Sequence, residues 1–176
     1  ERLKYEGKIR SIGFSSRFSE DPGQKGIELG LSKHPELWDV VMLKYGILNQ
    51  SAAAKILPLA RNHNIGVINM AAVRVKLPDP ILLEQLISKW KSSGLIDYDS
   101  LPTNNPLGWL VKDNVKSVIE AGYKFAAEPS SISTVLTGTA SVEHLKMNVE
   151  SMKEPSLIED HMDRLKATLS HIIEYA

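Results

Sequence analysis

The sequence predicts an α/β chain of four parallel strand–helix units, with extra helices at the C-terminal end. Three observations carry this. Apolar runs begin near residues 8, 39, 66 and 132, and each leads into a stretch with helical spacing or helix-capping residues. The first three starts lie about 30 residues apart, the length of one strand–helix–strand crossover. Consecutive parallel strands with right-handed crossovers build either an open sheet or part of a barrel. A complete (β/α)8 barrel takes about 250 residues. The 176 residues present, with four units, amount to half of one.

The first unit opens with ERLKYEG, which reads as the last turn of a helix stopped at Gly7. That beginning gives the chain the look of a piece cut from something larger. Lys8 to Ser15 is the first strand, with Ile9, Ile12 and Phe14 apolar. Asp21-Pro22-Gly23 is turn chemistry. Gln24 to Lys33 follows as a helix with Ile27, Leu29 and Leu31 as its apolar positions.

Asp39 to Leu48 is almost continuously apolar, as a parallel strand buried on both faces should be. Ser51 is placed to cap a helix from Ala52 to His63, with Pro58 as a kink or break and Asn64 as the residue that ends it. Gly66 to Val73 is the third strand. Ile81 to Ser92 is an amphipathic helix with Ile81, Leu82, Leu86, Ile87 and Trp90 as its stripe, stopped by Gly94.

Asp97 to Leu107 is the one long irregular segment; it reads as a surface connection between helices, with a functional, specificity-setting loop as the alternative. Asp113 or Asn114 caps a helix reaching Ala127. Ile132 to Thr137 is the fourth strand, delayed by that extra helix. Thr137-Gly138-Thr139 turns the chain, and Ser141 caps a helix to about Met152. A last helix runs from Pro155 to Tyr175, with Leu157, Ile158, Met162, Leu165, Leu169 and Ile172 on one side.

Composition narrows the function. At 43% hydrophobic and 24% charged, the chain is ordinary globular material. Lys plus Arg equal Asp plus Glu at 21 each, so no charge excess points to nucleic acid or a membrane surface. No apolar run reaches the roughly 18 residues of a membrane span. There are no cysteines, which excludes disulfides and thiolate metal sites and fits a cytoplasmic location. His161, Asp163 and His171 do not have metal-ligand spacing.

In both architectures, function sits at the C-terminal ends of the strands. Those ends carry Ser15-Ser16, Tyr45 to Gln50, Asn69 to Arg74 and Thr137 to Ala140. The set is rich in small polar groups and backbone donors, with Arg74, Lys44 and Arg17 as cations and no tight cluster of carboxylate or histidine. It suits holding a ligand better than acid–base work. The Gly138 turn leads into a helix N-terminus, whose unpaired N–H groups favour an anion. Tyr45 reads as a core or rim residue. Trp38, Trp90 and Trp109 read as packing anchors.

Four segments in order, GKIRSIGFSS, WDVVMLKYGILNQSA, NIGVINMAAVR and STVLTGTASVEHLKMNV, resemble the C-terminal half of an aldo-keto reductase. EAGYKFAAEPSSISTVLTGT is similar to the galactose- and arabinose-dehydrogenase-like branch. The resemblance implies half of a TIM (β/α)8 barrel and a NAD(P)-dependent oxidoreductase of aldehydes or sugars. It places Ser15 and Ser16 at the pair that holds the nicotinamide amide, with Ser16 where Asn is common. Met42 stands where Gln is usual for the same amide, and Met70 where an aromatic stacks on the nicotinamide. Residues 71 to 74, ending at Arg74, fall in the loop near the pyrophosphate. Gly138 and Thr139 fall in the adenosine-phosphate loop. His144 stands where Arg grips a 2′-phosphate, and Asn148 where Asn meets adenine. Loss of that Arg weakens a preference for NADP over NAD, and Arg74 or Lys146 could compensate.

The same resemblance assigns the catalytic Asp, Tyr, Lys and His to strands that precede those seen here, so no catalytic residue is expected in this chain. The expected partners are a nicotinamide dinucleotide and either an N-terminal half or a second copy. A half-barrel leaves strand edges unpaired and an apolar inner face open, and both promote association. The alternative function is a non-catalytic half-barrel that binds a nucleotide or itself.

Overall fold

A computed structural model describes residues 1–153 and 156–174. Four strands form one parallel sheet in the order β1-β2-β3-β4. They are β1 (Gly13–Ser15), β2 (Val40–Lys44), β3 (Gly66–Met70) and β4 (Thr134–Val135). The helices are α1 (Arg2–Tyr5), α2 (Lys25–Lys33), α3 (Ile56–Asn62), α4 (Pro80–Ser92), α5 (Val118–Ala127), α6 (Val142–Lys153) and α7 (Glu159–Leu169). The strand–helix alternation and the parallel pairing agree with the sequence reading. The strands are shorter than the apolar runs: β2 and β3 stop pairing where they turn into their rim loops, whereas β1 ends at Ser15 as expected and lacks the first five residues of its run.

Register fixes which residues share a face. Ser15 pairs with Met42, Met42 with Ile68, and Ile68 with Thr134, forming one row across all four strands. Successive side chains alternate sides. Val41, Leu43, Val67 and Asn69 are buried toward the helices, whereas Val40, Met42, Ile68 and Met70 are half-buried and Ser15 and Thr134 exposed on the other face. The helix-side core joins Ile27 and Leu31 of α2, Ile56 and Ala60 of α3, Ile87 of α4, Phe125 of α5 and Leu165 and Leu169 of α7.

Helix C-termini follow the sequence closely. Gly7 (φ +69) and Asn64 (φ +54) adopt the left-handed conformation that ends α1 and α3. In both, the next residue's N–H reaches back one turn further: Lys8 to Leu3 O at 2.9 Å and Ile65 to Ala60 O at 2.8 Å. Gly94 (φ +71) ends α4 in the same way, with Leu95 N donating to Trp90 O at 2.9 Å.

Helix N-termini depart from it. Ser51 does not cap α3; its hydroxyl donates to Asn49 Oδ1 at 2.9 Å, and the helix begins at Ile56. Pro58 lies in that first turn, where a missing N–H costs nothing, so it marks the start and not a kink. α5 is capped by Ser117, which accepts from Glu120 N at 3.1 Å, and not by Asp113 or Asn114. Asp79 caps α4 by accepting from the N–H groups of Ile81 and Leu82, both at 3.0 Å. Ser141 caps α6 as expected, through His144 N at 3.2 Å.

The apolar stripes also shift. α4 buries Leu83, Ile87 and Trp90, while Ile81 and Leu82 are exposed. α2 buries Ile27 and Leu31 but leaves Leu29 exposed. α7 buries Met162, Leu165 and Leu169, with Ile158 exposed. The expected start at Pro155 and end at Tyr175 lie outside the described residues. The 97–107 loop is tied down: Leu101 and Leu107 are buried, and Arg164 donates to Ser100 O at 3.1 Å.

Candidate functional site at the strand ends

The C-terminal ends of β2 and β3 are pinned by two buried amide side chains. Asn69, 0% exposed, accepts from Tyr45 N and donates to Tyr45 O, each at 2.9 Å, and also donates to Ala126 O at 3.1 Å. Gln24 accepts from Lys44 N and donates to Lys44 O, each at 2.9 Å. The β2 backbone is thus satisfied past the point where its neighbouring strands end. Beyond β3, the chain threads between two glycines. A Cβ on Gly46 would lie 2.6 Å from Ala72 O, and one on Gly122 would lie 2.6 Å from Val73 Cγ1. Ala71 (φ +60) and Val75 (φ +56) hold left-handed conformations in this 71–79 loop, a sparsely populated state that is costly for a β-branched residue.

The loop forms one wall of a cleft of about 470 Å³, lined also by Met70, Tyr123, Leu136, Thr137 and Gly138. That volume suits a small-molecule ligand. Thr137 organises the opposite wall. Its Oγ1 lies 2.8 Å from Tyr123 Oη and accepts from Asn148 Nδ2 at 2.6 Å.

Three of the expected site residues, Met70, Arg74 and Gly138, meet in this cleft. Asn148 is buried and tethered to its wall through Thr137. Ser15 and Met42 pair side by side on the open sheet face, one row below Met70. Ser16 buries its hydroxyl oxygen without a hydrogen-bond partner among the described residues. Thr139 accepts from Ser141 N at 3.1 Å, and His144 is exposed; neither lines the cleft. Tyr45 is 2% exposed and stacks on Phe125, with centroids 5.4 Å apart. Burial, together with the negative charge of Glu128, pushes its phenol well above the usual range, so it keeps its proton at neutral pH and is a weaker acid than a free tyrosine.

Sequence reasoning missed a charged cluster beside the cleft. Lys44 Nζ lies 2.9 Å from Glu174 Oε2, and Lys76 pairs with Glu174 Oε1. Burial opposes ionisation of Glu174, but hydrogen bonds from Lys76 and Lys44 outweigh it and hold the carboxyl below its usual range. The only local signal is a lysine ending an apolar strand; nothing near Glu174 in the sequence points to Lys44. Among the described residues, no group of three His, Cys, Asp or Glu side chains could hold a metal, and no helix is long and apolar enough to cross a membrane.

A parallel four-stranded sheet, helices on one face and a cleft at the strand C-termini define a TIM-barrel-like α/β protein spanning part of a barrel. The Aldo/keto reductase family model matches residues 1–170, and the chain belongs to that family. Its fold is similar to the aldo-keto reductase AKR11C1 from Bacillus halodurans. In the holo form the TM-score is 0.62 at 22% identity, covering 98% of this chain and 55% of that one. The apo form gives 0.62 and 22%, covering 98% and 56%. The thermostable aldo-keto reductase Tm1743, solved with the inhibitor epalrestat, gives 0.58 at 17% identity, covering 94% and 51%. The chain therefore spans about half the length of these structures. No curated protein matches it.

Proposed function

We propose that this chain supplies the nicotinamide-dinucleotide side of an aldo-keto reductase acting on an aldehyde or sugar, and that the proton-transferring groups come from the other half of the barrel. The observation that carries this is the convergence of Met70, Arg74 and Gly138 on one cleft, with Asn148 fixed to its wall by Thr137. The residues fit the phosphate and adenosine end of such a cofactor. Arg74 is an exposed cation at the cleft, and Gly138 has open space where a side chain would stand. At the nicotinamide end, the Ser16 hydroxyl oxygen is buried and has no hydrogen-bond partner among the described residues, so a carboxamide reaches it only once the groups covering it move aside. Met42 has no group to hydrogen-bond that amide, and Met70 offers a flexible thioether in place of a flat ring.

When bound, the cofactor supplies or accepts a hydride at the substrate carbon. This chain's residues bind and orient it. Hydride transfer to a carbonyl also needs a proton donor. Tyr45 is buried away from the cleft, and the Tyr123 hydroxyl on the cleft wall is paired with Thr137, so the isolated chain is expected to bind without turnover.

NADPH and NADH titrated by fluorescence test this. Saturable binding that Arg74→Ala weakens is the expected result, with no consumption of NADPH in the presence of aldehydes or sugars. Absence of binding by the folded chain would remove the cofactor reading, and turnover by the pure chain would remove the division of labour. A second reading, self-association, is favoured by the half-buried face bearing Met42, Ile68 and Met70 and by edge strands β1 and β4. Sedimentation equilibrium tests it; a monomer at high concentration would count against it.

A further inference from the structure

Tyr123 and Thr137 stand in the wall of the cleft, and neither is among the residues expected to hold a cofactor. Tyr123 is carried by α5 and is 3% exposed, whereas Thr137 is half-buried just past the end of β4. Their hydroxyl oxygens lie 2.8 Å apart, and Asn148 Nδ2 donates to Thr137 Oγ1 at 2.6 Å.

A hydroxyl carries one hydrogen and two acceptor lone pairs. Tyr123 and Thr137 share a single hydrogen bond, so one of their two hydrogens is left over. Among the described residues, Tyr123 Oη has no hydrogen-bond partner besides Thr137. If Thr137 donated, the phenol hydrogen would be stranded in a buried place, at a cost of about 1–3 kcal/mol. If Tyr123 donates, the hydrogen left over belongs to Thr137, which borders the cleft. The second arrangement is therefore favoured. Thr137 Oγ1 then accepts from both Tyr123 and Asn148, and its two lone pairs are used. Its own hydrogen must point away from these two buried partners, on the side where the cleft lies.

The rest of the cleft selects the acceptor. Arg74 lines it and is exposed, and among the described residues no carboxylate lines it. Gly138 has nothing within 4 Å of where a Cβ would stand, so ligand atoms can approach Thr137 closely. A cation and an oriented hydroxyl donor in one cleft suit an anionic group with several acceptor oxygens, a phosphate.

We propose that Thr137 is a ligand-binding residue: its hydroxyl, held in a donating orientation by Tyr123 and Asn148, gives a hydrogen bond to a phosphate oxygen of the ligand in the Arg74 cleft. Tyr123 is a positioning residue whose own proton is committed to Thr137. That the phosphate belongs to a nicotinamide dinucleotide rests on the function proposed above; the donor does not.

The test titrates inorganic pyrophosphate and NADPH into wild type, Thr137→Val, Thr137→Ser and Tyr123→Phe. Thr137→Val should weaken pyrophosphate binding on the order of ten-fold, as loss of a hydrogen bond to a charged group does. Thr137→Ser should restore it. Tyr123→Phe keeps the Thr137 hydroxyl and should lose far less than Thr137→Val. The proposal is overturned if Thr137→Val binds pyrophosphate as tightly as wild type, if Thr137→Ser fails to restore binding, or if Tyr123→Phe loses as much as Thr137→Val. In each of those cases the cofactor reading survives if NADPH still binds. The expected pyrophosphate pattern with no NADPH binding by any chain upholds the donor and rejects the dinucleotide. No pyrophosphate binding by wild type overturns the donor outright. Should Thr137→Val fail to fold, the wild-type chain decides: the Thr137 methyl resonance should shift along the pyrophosphate binding curve, and a resonance that stays in place overturns the proposal.

Discussion

Gln24 replaces a strand beside Lys44. Its side-chain amide accepts from Lys44 N and donates to Lys44 O, both at 2.9 Å, as a neighbouring strand's peptide would. β1 has already ended at Ser15, opposite Met42, so no backbone remains to pair with Lys44 on that side. Gln24 reaches this place from a left-handed backbone (φ +58), and the same amide also donates to Ser51 Oγ at 3.1 Å. Asp21 takes over the helix-capping work, accepting from Lys25 N and Gly26 N at 2.8 Å each.

Replacing Gln24 by Ala leaves both backbone groups of Lys44 without partners in a buried site. At about 1–3 kcal/mol per stranded group, the expected loss is roughly 2–6 kcal/mol in urea denaturation. Gln24→Gly tolerates the left-handed backbone better. It should recover only a small part of the loss, because the amide is still missing. Full recovery in the glycine variant would show that backbone strain, not the amide, is what matters here.

Asn69→Asp should be destabilising with a characteristic pH dependence. An ionised aspartate cannot donate to Tyr45 O or Ala126 O, and burial raises its pKa. A folded-state pKa above the unfolded value of about 3.9 means that stability is greatest in acid and is lost as pH rises through the folded pKa. The gap between variant and wild type should therefore widen from acid to neutral pH. A gap independent of pH would mean that the carboxyl is not ionised in that range or not buried.

The Glu174 carboxyl is held below its ordinary value of 4.5 by Lys76 and Lys44 despite the opposing effect of burial. A depressed pKa means that the contact contributes fully above 4.5 and is lost as pH falls through the folded value. Thermal midpoints of wild type and Glu174→Gln should differ at pH 7 and converge in acid. A difference that persists at pH 3 would assign the effect of residue 174 to shape instead of charge.

Gly46→Ala puts a methyl group 2.6 Å from Ala72 O, a backbone atom that cannot swing aside. The expected cost is about 1–3 kcal/mol from overpacking. NADPH affinity should fall with it, because the loop that moves lines the cleft. Gly138→Ala meets nothing within 4 Å and serves as the control, with stability close to wild type.

Thr137→Val keeps the shape of the cleft wall and removes the oxygen shared by Tyr123 and Asn148. Stability should drop by about 1–3 kcal/mol, since Asn148 is buried and left unpaired. If Asn148 faces the adenine, affinity for ADP should fall as well; unchanged ADP affinity would place Asn148 in the wall only.

The strands were legible because β2 and β3, the central strands of a parallel sheet, must be nearly continuous in apolar residues. Gly7, Asn64 and Gly94 announced helix ends because the left-handed turn there is a local demand. Helix starts were harder to place. Ser51 and Asn114 have capping chemistry, but Pro58 and Ser117 sit where the chain actually enters the helix. Ile81 and Leu82 looked like core, yet the stripe through Leu83, Ile87 and Trp90 faces inward. Of the expected site residues, Met70, Arg74 and Gly138 line the cleft, because they lie on rim loops that the strand pattern locates. Gln24, Asn69 and Glu174 act on partners far along the chain, so no local pattern reveals them.

The course of the 71–79 loop is set by glycines in other segments, Gly46 on one side and Gly122 on the other. Its exposed members, Arg74 and Val75, bear little of the work of holding it in place. Side chains at those two positions can therefore change while the backbone track stays where it is, whereas a methyl group at Gly46 would press on Ala72 O and move the loop itself.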